Sequence, residues 1–66
     1  MTVQELLRVF PHSNEYGILK YQIISYKTGE CFLNGDIGSM RKSDYASETV
    51  LQVNPYDNEV EIFIDK

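Results

Sequence analysis

An α+β domain is the fold this sequence predicts: a short N-terminal helix packed on one face of a four-stranded antiparallel sheet, in the order αββββ with the strands joined as two hairpins. Three observations predict it. Thr2-Val3-Gln4-Glu5 has the form of a helix-opening capping box, and the apolar residues after it recur at helical spacing. Later runs alternate apolar and polar residues with the period of two that marks a half-buried strand. Clusters of turn formers separate those runs.

The helix comes first. Val3, Leu6, Leu7 and Phe10 fall at i, i+3, i+4 and i+7 and form one apolar stripe, and Pro11 ends the run by biasing Phe10 away from helical geometry. A helix this short does not hold in isolation, so its stripe must pack on the sheet. His12 to Gly17 reads as a polar linker. In the strand from Ile18 to Tyr26, Leu19, Tyr21, Ile23 and Ser25 take the core face, and Ile24 and Tyr26 look outward. Lys27-Thr28-Gly29-Glu30 is a hairpin turn with Gly29 at a position of positive φ.

In the next strand Cys31, Leu33, Gly35 and Ile37 point inward, which leaves Phe32 outside. Gly38 to Ser47 reads as a loop with at most one helical turn, and Met40 and Tyr45 plug the core edge. A third strand, Glu48 to Val53, sets Thr49, Leu51 and Val53 on one side and Val50 and Gln52 on the other. Asn54-Pro55-Tyr56-Asp57-Asn58 is a dense turn signal, and the closing strand alternates Val60, Ile62 and Ile64 with Glu59, Glu61, Phe63 and Asp65.

The 66 residues hold a single domain, 1–66, whose small core leaves stability marginal and favours pairing with a second copy, a homodimer. A single cysteine, Cys31, permits no internal disulfide and fits a reducing cytoplasm. No basic segment followed by an apolar run opens the chain, so neither a leader nor a membrane anchor is expected. Through Leu33 three cations balance three carboxylates, whereas from Asn34 onward three face seven, so the net charge of −4 belongs to the C-terminal half. That balance disfavours nucleic acid, whose affinity depends on neutralising phosphates with Lys and Arg.

The outward residues Ile24, Tyr26, Phe32, Val50 and Phe63 would share one sheet face that a single helix cannot cover, and contiguous apolar patches mark interfaces. Glu59 and Glu61 add an acidic rim to the same region. These seven residues are the candidate binding surface. The catalytic readings are weaker. A nucleophile pair would need His12 with Cys31, which stands on the core face as a small hydrophobe. The carboxylates Asp36, Asp44 and Glu48, or Asp57 to Asp65, lack the ligand spacing of a metal site. Arg41-Lys42 after Gly38-Ser39 is too short for a phosphate loop. The expectation is therefore no catalytic residue, no metal and no cofactor. A single-stranded nucleic-acid binder, stacking bases on Tyr26, Phe32 and Phe63 with Lys20, Arg41 and Lys42 on phosphates, is the alternative.

The opening Thr2-Val3-Gln4-Glu5-Leu6-Leu7, the hairpin Tyr26-Lys27-Thr28-Gly29-Glu30, the strand containing Val50, Leu51 and Val53 and the closing Glu61-Ile62-Phe63-Ile64 together span most of the chain. This frame resembles a loose group of small phage and mobile-element proteins of Gram-positive bacteria. The resemblance implies an accessory, fast-varying gene of the kind that includes inhibitors of host defence, anti-CRISPR proteins among them. Its departures are the long Ser39 to Ser47 stretch and the aromatic at Tyr56, and it carries over no site residues. The expected function is a non-enzymatic protein-binding protein acting on a host protein in the host cytoplasm.

Overall fold

The computed structural model describes residues 1–9 and 20–66. Helix α1 spans Val3–Val9, strand β1 Lys20–Ser25, β2 Cys31–Gly35, helix α2 Ile37–Arg41, β3 Val50–Tyr56 and β4 Glu59–Ile64. The readings of Phe10, Pro11, His12, the linker, Ile18 and Leu19 lie outside the described residues.

The capping box forms as read. Thr2 N–H donates to Glu5 Oε1 at 2.8 Å and Glu5 N–H to Thr2 Oγ1 at 3.3 Å, which satisfies donors that an α-helix leaves open at its start. The Glu5 carboxyl lies below the usual range, chiefly because it accepts that backbone bond. Beyond the cap, Val3, Leu6 and Leu7 bury the stripe.

The sheet corrects the expected topology. Its order is β2-β1-β4-β3, and it is mixed: both hairpins are antiparallel, but the central pair β1 and β4 runs parallel, from Lys20 opposite Glu59 to Ser25 opposite Ile64. The physical reason is composition. The two strands with the most buried side chains take the centre, while β2, with Asn34 and Gly35, and β3, with Gln52, Asn54 and Pro55, take the edges. Placing β2 and β3 at opposite edges forces the chain between them to cross the sheet, and the crossing contains a second helix, α2, that the αββββ order lacks. Ile37, read as the end of β2, instead opens α2, because Asp36 caps it by accepting Ser39 N–H at 2.8 Å.

The crossing passes over the same face as α1. Val3 N–H donates to Glu48 O at 3.1 Å and Gln4 N–H to Ala46 O at 2.9 Å, so the crossover is bonded to the start of the helix. Met40 is fully buried and Tyr45 packs beside it, as their reading as core plugs requires. Gly35 leaves room for α2: a Cβ there would sit 3.3 Å from the Ser39 Cβ and Oγ. Val3, Leu6, Leu7, Tyr21, Ile23, Met40, Val60, Ile62 and Ile64 make one core between the sheet and this layer. Each aliphatic side chain fully buried there contributes about 2 kcal/mol of transfer free energy.

The tight turns follow local chemistry. Gly29 has φ +80°, where a Cβ would be strained. The turn between β3 and β4 narrows to Asp57-Asn58, with Asp57 at φ +27°, so β3 runs on through Asn54, Pro55 and Tyr56. Pro55 is tolerated because β3 is an edge strand, where a missing N–H need not break a ladder bond. The end of the chain is tied in through Ser25: its Oγ donates to Lys66 O at 2.7 Å and accepts Thr28 N–H at 3.0 Å.

Candidate interaction face

Two helices and the crossover cover one face of the sheet, and the opposite face is the one the candidate residues were expected to occupy. Two of the five apolar candidates are not there. In the pairing of β1 with β2, Ile23 faces Leu33 and Ile24 faces Cys31, so Phe32 is an extra residue in a bulge. Its ring turns to the helix side and stacks on Tyr45, with centroids 5.4 Å apart and planes 9° apart. In β3, Val50 faces Ile64 and Gln52 faces Phe63, so Leu51 is the extra residue. Val50 consequently joins Val53 against the core. A bulge shifts side-chain parity by one, which is why strict alternation misplaced both residues.

The same two bulges move residues the other way. Cys31, expected on the core face, is exposed opposite Ile24, with its thiol 3.5 Å from Leu33 O. Leu51 is 47% exposed and outside the core. Adjacent apolar pairs, Phe32-Leu33 and Val50-Leu51, were the signal that could have revealed the bulges.

The remaining candidates stand where parity places them. Ile24 and Phe63 are paired across the parallel ladder, and Tyr26 follows two residues beyond Ile24. Tyr26 meets Phe63 edge to face, with centroids 6.5 Å apart and planes at 89°. Ile24 is only 6% exposed and forms a floor, whereas Tyr26 is 54% exposed. Cys31, Ile24 and Phe63, from three neighbouring strands, thus make an apolar row across one end of the face that meets Gln52 on β3, with the exposed bulge residue Leu51 next to Gln52 and Tyr26 standing over the row.

The other end of the face is polar. Gln22, Glu61 and Asn54 form the next row, and Lys20, Glu59 and Tyr56 the one beyond. Lys20 Nζ lies 3.6 Å from Glu59 Oε1. Tyr56 Oη donates to Glu61 Oε1 at 2.8 Å, and that bond, with the carboxylate's own charge, pushes the Tyr56 phenol upward. Among the described residues Glu61 has no cation partner.

The other constellations do not converge. Asp36 is occupied as the cap of α2 and Glu48 lies 3.5 Å from Lys66 Nζ. Gly38-Ser39 is helical, with Arg41 in the last turn of α2 and Lys42 at its C-cap. Phe32 is therefore separated from Tyr26 and Phe63 by the thickness of the sheet, and Arg41 and Lys42 belong to α2 on that far side, so the base-stacking platform expected for nucleic acid is divided. His12 lies outside the described residues. No described helix is long and apolar enough to cross a membrane. Comparison with protein-family models, curated proteins and solved structures found no match to this chain.

Proposed function

We propose that this chain is a non-enzymatic protein-binding module that docks a partner protein on the sheet face opposite its helices, with Tyr26, Phe63 and Ile24 as the apolar anchor and Glu61 and Glu59 as the acidic rim. One observation carries the reading: the apolar row lies at one end of an otherwise polar face that neither helix covers. Aromatic anchors surrounded by polar groups are the usual make-up of binding hot spots. The resemblance noted in the sequence supplies a setting for the module, an accessory protein of phage or mobile-element origin that binds a host protein and inhibits a defence system such as a CRISPR nuclease.

Crosslinking capture from a Gram-positive host lysate tests it. The wild-type chain and an Arg8→Glu control should enrich the same protein, and Tyr26→Ser should lose it. Equal capture by all three, or no specific capture, would overturn the reading. Self-association through the same row is the competing use of the surface, and light scattering on the purified chain separates the two.

A further inference from the structure

We propose that the occupant of this face is a cationic amphipathic segment of a partner protein, which seats one apolar side chain against Tyr26 and Phe63 and one Lys or Arg on the Glu61 carboxylate. This rests on the reading of the face as a docking surface and adds the chemistry of what docks there.

Charge and size both point to it. The face carries one described cation, Lys20, already drawn to Glu59, which leaves Glu61 as its unneutralised charge. Glu61 is two residues from Phe63 on the same strand, about 7 Å at the rise of an extended chain. That spacing sets an anchor and a cation at i and i+2 of an extended partner segment, or about one turn apart on a helix. An acidic partner or a nucleic acid would meet Glu61 as a like charge.

A second copy of this chain fits less well. A face-to-face twofold packing with its axis along β4 at Phe63 brings the two Glu61 side chains toward each other. The row itself is narrow: four strands about 4.8 Å apart and roughly two residues deep give about 130 Å² in projection, against about 800 Å² per partner in a standard stable interface. A short inserted segment needs far less, because a few anchor residues dominate the affinity of such contacts.

Selection from a random dodecapeptide library displayed on phage, followed by fluorescence anisotropy of the winning peptides with the full chain, tests the proposal. Enriched peptides should pair an aromatic or large aliphatic residue with Lys or Arg at two to four positions' distance. Their affinity should fall about tenfold in Tyr26→Ala and about two- to fivefold in Glu61→Gln, weaken with added salt, and stay unchanged in Asp44→Asn. Uncharged or acidic winners that need Tyr26 but ignore Glu61→Gln would overturn the cationic assignment and leave the docking face standing. Winners indifferent to Tyr26→Ala and to Leu51→Ser, or no winners at all, would overturn both. A dimer dissociated by Tyr26→Ala would assign the row to a second copy and overturn the proposal as well.

Discussion

Replacing Tyr21 by Phe should make this protein more stable. Tyr21 opens the core side of β1 between Gly35 and Val60, and no part of it is exposed. Its hydroxyl has no hydrogen-bond partner among the described residues, and burial raises its phenol, with the nearby Arg41 charge working in the opposite direction. A buried polar group without a partner costs about 1–3 kcal/mol relative to its hydrated state in the unfolded chain. Phe keeps the ring and removes that cost, so a gain of about 1 kcal/mol is expected. At about 2.1 cal/mol/K per residue, a chain of this length unfolds with an entropy of about 0.14 kcal/mol/K, and the gain corresponds to a rise in Tm of about 7 °C. Thermal unfolding by circular dichroism reads this directly, with Tyr21→Ala as the contrast that should lose about 3–5 kcal/mol through the cavity it leaves. A fall in Tm for Tyr21→Phe would refute the reasoning, because it would mean that the hydroxyl contributes a bond to the folded state.

Other perturbations probe the local devices. Val50→Ala should cost about 1–2 kcal/mol and Leu51→Ala under about 0.5 in urea titrations, the reverse of what strict alternation from Val53 requires. Gly29→Ala meets no atom within 4 Å yet holds φ +80°, so it should cost about 1 kcal/mol, and Gly29→Asn should recover part of it. Glu5 and Asp36 are both held below their ordinary values of 4.5 and 3.8, mainly by accepting backbone bonds from Thr2 and Ser39. A lowered folded value means stability that is present above the ordinary value and lost as pH falls through the folded one. The urea midpoint should therefore decline below about pH 4.5, and Glu5→Gln should reduce that decline; an unaltered slope in the variant would remove Glu5 from the account.

Much of the fold was legible because local chemistry and burial agreed. The capping box, the stripe of Val3, Leu6 and Leu7, the Gly29 turn and the inward Tyr21, Ile23, Val60, Ile62 and Ile64 all stand as read. Pairing was not legible. Alternation reports which side of a strand is dry, and β1 and β4 have the same alternation whether they run parallel or antiparallel. Nor does it mark where an extra residue enters, and Ile23-Ile24, an adjacent apolar pair with no extra residue in its own strand, shows why such pairs are an ambiguous sign. The candidate face was therefore half visible: Ile24, Tyr26, Phe63, Glu59 and Glu61 keep their places, while Phe32 and Val50 exchange sides with Cys31 and Leu51.

The parallel seam at the middle of the sheet governs how this chain can assemble. Each hairpin closes through neighbouring residues, yet a lone two-stranded ribbon is marginal in water. Their mutual seam joins Lys20 to Glu59, 39 positions apart, so the entropy of closing that span must be met before any lasting order is gained. The two ribbons thus act as halves of one clasp. Cutting the backbone within Ser43 to Ser47 should leave neither half folded alone, and mixing the two fragments should restore the domain.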